Sequence, residues 1–277
     1  MSLVYIEYDF KISPLQPATD ILIAELGELG FESFVENEEG VLAYILKSEW
    51  KETNFTDLFA FQNPDFEISW TSKEMEQQNW NAEWEKNFHP IKVGDRCMVR
   101  APFHEAVEVE YDIVIEPKMS FGTGHHETTH MMLQHILDHD FEGKSVLDMG
   151  CGTGVLAILA KKRGAADTEA IDIDEWCFLN SQESVERNNC ADIKVFQGDS
   201  SLLNGRTYDV ILANINRNIL LDDIPIYADC LKKGGWLFLS GFYLEDLDAI
   251  SSKCSAHGLE FEKNLEKNNW ISAKYVN

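Results

Sequence analysis

Three glycines at alternate positions, Gly150, Gly152 and Gly154, follow an apolar strand near residues 145–149. A helical run starts at the next residue, Val155. Glycines let bare backbone approach a ligand, so this strand, turn and helix predict a nucleotide-type binding site. The dinucleotide fingerprint has its third glycine one residue later, at the position of Val155. The register of the glycines therefore argues against NAD as the ligand.

Two acidic residues accompany this turn and extend the predicted site. Asp148 stands just before the glycines, and with their register it points towards S-adenosylmethionine. Asp172 ends the next predicted strand, eighteen residues after Gly154. An acid at that place in a Rossmann-like sheet accepts hydrogen bonds from both ribose hydroxyls, whereas the alternative is a solvated carboxylate at a strand end. The turn resembles the first motif of class I methyltransferases.

Two later strand ends carry further candidates. Asp199 follows the third predicted strand and, with the neighbouring backbone, is a candidate for binding the adenine amino group; a turn and helix cap is the alternative. Asn214 ends the fourth strand, at the edge where the transferable methyl group is expected. A neutral amide there can hold an amine acceptor without placing a charge beside the sulfonium. A simple turn residue is the alternative for Asn214.

A His-Glu-x-x-His sequence supports a rival interpretation. His126, Glu127 and His130 could bind zinc through the two histidines on a helix and leave the glutamate as a base, as in a zinc protease. The downstream glycine and third histidine of the metzincin pattern are missing, because Leu133 stands at the glycine position. We therefore expect no metal site and interpret the preceding Gly-Thr-Gly as a lid, followed by a helix packed beside the cofactor strand.

The charge of the 277-residue chain limits its partners. A net charge of −25 argues against duplex nucleic acid or an anionic membrane and fits a basic partner, although solubility alone is the alternative. Residues 1–90 hold 18 acidic and 5 basic residues, as a docking module for a basic partner would require. The six cysteines form no Cys-x-x-Cys, and no 18-residue apolar run occurs. We expect a cytoplasmic protein with reduced cysteines.

The elements that must position these residues follow from periodicity. From residue 145 onward strands and helices alternate, which predicts a doubly wound parallel sheet that a terminal hairpin closes; the strands are expected at 145–149, 168–173, 193–197, 208–214, 235–240, 259–265 and 270–276. The first 71 residues have a β-α-β-β-α-β order, which is typical of a small ferredoxin-like α+β domain; strands are expected at 4–12, 31–36, 41–46 and 66–71, and helices at 19–29 and 54–62.

A connector is expected between these parts. Residues 73–88 have a helical pattern, with Trp80 and Trp84 on one face, and Pro90 ends it. An ordinary first helix of the next domain is the alternative. The predicted organisation is a substrate-recognition domain over 1–71, a helical linker over 72–90 and a methyltransferase domain over 91–277.

Longer motifs make the resemblance more specific. Phe-Gly-Thr-Gly-x-His-x-Thr-Thr from Phe121, Val-Leu-Asp-x-Gly-Cys-Gly-Thr-Gly from Val146, and Ala-Asn-Ile from Ala213 are similar to the bacterial methyltransferases of protein eleven of the large ribosomal subunit. The similarity is strong from about 80 to 245, whereas the first domain resembles that family in size and strand order only. Glu127 departs from the family, in which proline is common at this position, and this puts the rigidity of the lid in doubt.

The resemblance implies the fold, the reaction and a set of site residues. The fold would be a seven-stranded Rossmann-like class I domain with a smaller N-terminal α+β domain. The enzyme would methylate lysine side chains and the α-amine of a basic ribosomal protein. The resemblance implies cofactor contacts from Thr129, Gly150, Asp172 and Asn214. With the residues taken from the motifs themselves, the predicted cofactor-binding set is Phe121, Gly122, Thr129, Gly150, Gly152, Asp172, Asp199 and Asn214. The 121–124 loop would be a lid, and Asn214 and Thr123 would position the acceptor, with no general base assigned.

Other acceptors stay open. A class I methyltransferase with another protein or a small-molecule acceptor is the nearest alternative, and the acidic first domain disfavours a small molecule. The Asn-Pro-Pro-aromatic signature of adenine and glutamine methylation is replaced by Asn214-Ile215-Asn216, which disfavours those acceptors. We expect a monomer that makes no direct contact with nucleic acid.

Overall fold

The computed structural model describes residues 4–50, 55–75, 88–118 and 120–277. The chain forms two compact units, Met1–Asn87 and Phe88–Asn277. The division into 1–71, a linker over 72–90 and 91–277 stays a prediction, because most of the linker lies outside the described residues. No helix in the described part of the chain has the length and apolar character needed to cross a membrane.

The smaller unit has the predicted β-α-β-β-α-β order. Its elements are β1 Tyr5–Ser13, α1 Ala18–Glu28, β2 Ser33–Asn37, β3 Gly40–Leu46, α2 Phe59–Gln62 and β4 Glu67–Met75. The strands are antiparallel in the order β2-β3-β1-β4, so β1 lies between β3 and β4. The small N-terminal α+β domain predicted from the sequence is therefore confirmed.

Two details of the smaller unit differ from the prediction. The helix expected over 54–62 is a 3₁₀ turn, Phe55–Asp57, followed by the single turn of α2. Asn63 ends that turn in an extended conformation because Pro64 follows it. The helix expected from 73 is wrong for 73–75, which continue β4 and pair with β1 up to Tyr5. The rest of that predicted helix, with Trp80 and Trp84, lies outside the described residues.

The larger unit is built on a seven-stranded sheet. Its strands are β8 Ser145–Met149, β9 Asp167–Asp172, β10 Lys194–Gln197, β11 Tyr208–Asn214, β12 Leu231–Tyr243, β13 Glu260–Lys267 and β14 Trp270–Val276. Their order is β10-β9-β8-β11-β12-β14-β13. The first five strands run parallel and β14 is antiparallel to both neighbours. The predicted doubly wound sheet with a closing hairpin is confirmed.

Helices cover both faces of this sheet. They are α3 Glu127–Asp138, α4 Val155–Lys162, α5 Glu175–Arg187, α6 Arg217–Cys230 and α7 Leu247–Ala256. The central strands are buried on both faces, as in β11, where Val210, Ile211, Leu212 and Ala213 are fully buried. Parallel strands end at the same edge of a sheet, so Met149, Asp172 and Asn214 lie together at the carboxyl edge.

A third sheet was not predicted from the sequence. It consists of β5 Ile91–Val93, β6 Cys97–Arg100 and β7 Tyr111–Val114, in that order. The strands have three or four residues each, too few for an alternating pattern to be recognised. Val99 and Ile113 join the same core cluster as Leu133 of α3, so this sheet supports the helix that borders the site.

The buried imidazole of α3 yields a testable pH dependence. His135 is fully buried, its Nε2 lies 3.3 Å from the carbonyl oxygen of Ser272, and burial lowers its pKa to about 4. An unfolded histidine has a pKa of about 6.5, so above that pH the group is neutral in both states. As the pH falls from about 6.5 to about 4, the unfolded chain binds a proton that the folded chain does not bind, and stability is lost.

We expect wild type to lose up to about 3 kcal/mol of unfolding free energy relative to His135→Leu between about pH 7 and about pH 4. Urea unfolding of both proteins at the two pH values measures this difference. A difference between the two proteins that does not change with pH would contradict the expectation.

Candidate functional site

The glycine turn packs against two neighbouring loops. Gly150, Gly152 and Gly154 have φ angles of 71°, 54° and 76°, in the left-handed region that favours glycine. A Cβ added at Gly150 would overlap the side chain of Ile215, and one added at Gly152 would overlap the carbonyl oxygen of Phe121. Gly150 and Gly152 are therefore required by close packing within the protein, in addition to the approach of a ligand that the sequence predicts.

Thr153 fastens the predicted lid to the turn, a contact that the sequence analysis missed. Its backbone N–H donates to the carbonyl oxygen of Phe121 over 2.9 Å, and its hydroxyl donates to that of Gly122 over 2.7 Å. Thr153 is fully buried. In the sequence, the position of Thr153 between two glycines of the motif indicates a role in the turn. It does not indicate which group the hydroxyl contacts.

The carboxylate of Asp172 is held by the backbone around it. Oδ2 accepts a hydrogen bond from Gly152 N over 2.8 Å, and Oδ1 accepts one from Asp174 N over 3.1 Å. A carboxylate oxygen has a second lone-pair direction, so both oxygens can accept further hydrogen bonds. The side chain can bind two neighbouring hydroxyls while it keeps the turn in place.

A cavity of about 300 Å³ opens at the carboxyl edge of the sheet. It is lined by six of the residues predicted from the sequence, namely Phe121, Gly150, Gly152, Asp172, Asp199 and Asn214. Ile173, Cys177, Ile215 and Ile219 supply apolar surface. Gly122, Thr123 and Thr129 are not among the lining residues. The cavity thus combines a carboxylate beside a glycine turn with apolar walls, which fits a nucleoside such as the adenosine of S-adenosylmethionine.

Asn214 lines this cavity, and its side-chain oxygen accepts no hydrogen bond in the structure. Its Nδ2 donates to Thr129 Oγ1 over 3.3 Å, and its Oδ1 is buried with no hydrogen-bond partner in the structure. A buried acceptor left without a partner costs about 1–3 kcal/mol, and Asn214 lines the cavity, so a ligand that donates a hydrogen bond would satisfy this oxygen. Thr129 contacts Asn214 rather than the cavity and so fixes the orientation of the amide.

Asp199 forms the helix cap considered for it and also lines the cavity. Its Oδ1 accepts from Ser201 N over 2.9 Å and caps the 3₁₀ turn Ser200–Leu203. Its hydrogen bonds to Ser201 lower the pKa of the carboxyl below its usual range. Asp199 therefore presents an ionised acceptor to the cavity while it serves as a cap.

Asp148 lies beneath the turn and outside the cavity. Its Oδ2 accepts from Ala157 N over 3.0 Å in the first turn of α4, and its Oδ1 is buried without a partner. Burial raises its pKa to about 7. The acid before the glycines therefore holds the start of the helix in this structure.

The His-Glu-x-x-His sequence does not form a zinc-binding helix face. His126 is the N-cap of α3, and its Nδ1 accepts from Thr128 N over 3.3 Å. Glu127 Oε1 accepts from Asn268 Nδ2 over 2.7 Å. Across 4–50, 55–75, 88–118 and 120–277, the one group of three potential ligands within 4.8 Å of one another is Asp172, Asp174 and Cys177. The geometry gives the protease alternative no support.

Known proteins that are similar to this chain share one family name. The family model described as ribosomal protein L11 methyltransferase (PrmA) matches residues 20–277. A relative named ribosomal protein L11 methyltransferase from Bacteroides fragilis is 52% identical over 277 residues, covering 98% of this chain and 99% of the relative. One of the same name from Chlorobaculum parvum is 34% identical, covering 97% and 95%. The crystal structure of a ribosomal protein L11 methylase from Lactobacillus delbrueckii subsp. bulgaricus is similar with a TM-score of 0.64 at 25% identity, covering 69% of this chain and 99% of that one.

The packing of the glycine turn leads to a prediction about two of its glycines. Gly152→Ala places a methyl group against the backbone oxygen of Phe121 and must displace the 121–124 loop. Gly154→Ala is the matched control, because it has the same left-handed backbone but its Cβ meets only Ser181, whose nearest atom is Oγ at 3.3 Å. We expect Gly152→Ala to weaken S-adenosylhomocysteine binding at least about tenfold more than the control does, measured by calorimetry. Equal losses in the two variants would mean that the contact with Phe121 does not matter for binding.

Proposed function

The chain belongs to the ribosomal protein L11 methyltransferase family and uses S-adenosylmethionine as its methyl donor, and we propose that it methylates lysine side chains and the α-amine of ribosomal protein L11. The observation that carries this proposal is the unpartnered Oδ1 of Asn214, a residue that lines the cavity. An amine nitrogen has N–H groups to donate to this oxygen and a lone pair to accept a methyl group. Acceptors other than this ribosomal protein are not favoured by the family assignment.

Six residues at the cavity would hold the cofactor, with others in support. Asp172 would accept from the ribose hydroxyls, Asp199 from the adenine amino group, and the backbone of Gly150 and Gly152 would face the cofactor. Phe121 and Gly122 would cover it as part of the lid, and Thr129 would act through Asn214. Bound there, S-adenosylmethionine supplies an electrophilic methyl group on a positively charged sulfur.

The task of the remaining residues is to present a neutral amine. A lysine of pKa about 10.4 costs roughly 4–5 kcal/mol to deprotonate at pH 7, whereas an α-amine near 7.7 costs about 1 kcal/mol. Asn214 accepts an N–H and thereby orients the nitrogen, and the apolar walls favour the uncharged form. Thr123, whose Oγ1 lies 3.1 Å from His125 Nδ1, would steady the lid beside the acceptor. We assign no general base, and the proton leaves to water.

The first domain would recognise the substrate. Residues 1–90 hold 18 acidic and 5 basic residues and contribute no residue to the predicted site. A basic ribosomal protein is attracted by such a surface. We propose that residues 1–71 dock this substrate, that the enzyme acts as a monomer without direct nucleic-acid contact, and that a ribosomal-protein substrate places it in the cytoplasm.

The ribose assignment is tested by removing the Asp172 carboxylate. Asp172→Ala should weaken binding of S-adenosylmethionine and S-adenosylhomocysteine by about 10–100-fold, as expected for the loss of a charged hydrogen-bonding partner. Asp174→Ala is the control, since Asp174 also lines the cavity but its side chain makes no cap hydrogen bond. Calorimetry measures both. An affinity in Asp172→Ala equal to that of wild type would refute the assignment.

Recognition by opposite charge predicts a salt dependence. Exposed charges are screened beyond about 8 Å at physiological ionic strength, so kcat/KM of the full-length enzyme for ribosomal protein L11 should fall as salt rises. Affinity for S-adenosylhomocysteine, which is held inside the cavity, should change much less. Mass spectrometry of the product identifies the methylated amines. A kcat/KM independent of salt would remove the docking role of the first domain.

A further inference from the structure

Four aromatic side chains form a continuous row at the carboxyl edge of the sheet. Ring centroids are 5.2 Å apart between Phe121 and His126, 4.7 Å between His126 and Trp270, and 4.0 Å between Trp270 and Tyr243. We call these four residues the aromatic row. Because Phe121 lines the cofactor cavity, the row leads from that cavity outwards.

Two separate parts of the fold bring the row to Asn214. Strand β12 pairs with β11 as far as Asn214, and Tyr243 lies three residues beyond that point, roughly 10 Å further along the strand. Trp270 pairs with Tyr243 at the start of β14. His126 caps α3, and Thr129 of the same helix accepts the hydrogen bond from Asn214. The row therefore lies at the same edge of the sheet as the amide that would hold the amine.

Two members of the row, Phe121 and Tyr243, expose aromatic surface. Phe121 is 50% exposed and Tyr243 is 40% exposed, which is high for large aromatic side chains. Neither Trp270 nor Tyr243 has a part in the cofactor contacts described above. The faces of aromatic rings carry partial negative charge and attract cations, including ammonium groups with methyl substituents.

Acidic and basic side chains both lie near the row, so the local charge does not repel an incoming cation. Glu127, next to His126, accepts a hydrogen bond from Asn268, and this bond lowers the pKa of the carboxyl. Lys267 stands opposite Trp270 in the hairpin, and its charge contributes to the lowered pKa of Glu127. Arg217 Nε lies 2.7 Å from Asp246 Oδ1.

We propose that the aromatic row binds the acceptor side chain in its cationic form, as the lysine ammonium that arrives and as the methylated ammonium between rounds of transfer. Trp270 and Tyr243 are then positioning residues that deliver the nitrogen to Asn214 and retain it. The inference rests on the proposed amine-methylating function, because a substrate with no cationic side chain would gain nothing from the row.

The experiment separates the charge of the ligand from its shape. The full-length enzyme, saturated with S-adenosylhomocysteine, is titrated with Nα-acetyl-Nε-trimethyllysine amide and with its neutral analogue, in which carbon replaces the charged nitrogen. Saturation-transfer NMR measures both affinities. We expect wild type to bind the cation about threefold to tenfold more tightly than the neutral analogue.

Paired variants test the two rings directly. Tyr243→Leu and Trp270→Leu should lower the preference to about one, whereas Tyr243→Phe and Trp270→Phe should retain most of it because they keep an aromatic face. Phe261→Leu is the matched control: Phe261 is 47% exposed and lies at the opposite end of the β13–β14 hairpin, so the preference should not change. Calorimetric affinity for S-adenosylhomocysteine, unchanged in each variant, shows that the fold and cofactor site are intact.

Equal affinity of wild type for the two ligands overturns the inference, and so does a preference that survives in both leucine variants. If Trp270→Leu loses S-adenosylhomocysteine binding through misfolding, Tyr243→Leu decides by itself. If the enzyme prefers the cation but does not methylate ribosomal protein L11, the proposed substrate is contradicted, whereas the cation-binding role of the aromatic row is supported. Methylation of L11 by an enzyme that shows no cation preference would support the proposed substrate and contradict the role of the aromatic row.

Discussion

The site depends on the close packing around Gly152. Its N–H donates to Asp172 Oδ2 over 2.8 Å, its carbonyl oxygen accepts from Ser181 Oγ over 2.7 Å, and the carbonyl oxygen of Phe121 occupies the space where any other residue has its Cβ. One residue thus joins β9, α5 and the lid loop. Backbone atoms cannot move aside as a flexible side chain can, so the geometry of the cavity follows from this contact.

Buried polar atoms without a partner occur at this edge of the sheet as well as elsewhere in the described residues. The three glycines of the turn, all with positive φ, follow β8 directly. Asn214 Oδ1 and Asp148 Oδ1 are buried without partners within a few residues of that turn or of the neighbouring strand end. Buried polar groups without partners are costly, and a fold retains them where function requires them. The two oxygens differ, since Asn214 lines the cavity while Asp148 is enclosed beneath α4.

Most of the fold was predictable because its periodic signals are strong. The strand expected over 208–214 is β11, Tyr208–Asn214, and the closing hairpin lies within one or two residues of its predicted bounds. The wrong or missing predictions concern segments whose local pattern is weak, or whose pattern is overridden by pairing with a distant strand. Residues 73–75 have a helical pattern, yet pairing with β1 extends β4 through them. Strands β5, β6 and β7 are too short to show any pattern.

The sequence by itself determined the order of the elements in the small N-terminal domain and in the seven-stranded sheet, the family, and which residue types stand at the ends of the parallel strands. These depend on neighbouring residues in the chain, such as alternating burial or glycines at every second position. Only the tertiary structure decided which groups meet: the contact of Thr153 with the lid, the His126 side chain as a helix cap, and the unpartnered oxygen of Asn214. It also brought His126, Trp270 and Tyr243 into one row from positions up to 144 residues apart. Contacts between distant segments depend on how the sheet stacks its strands and helices, and no local pattern of residues encodes that arrangement.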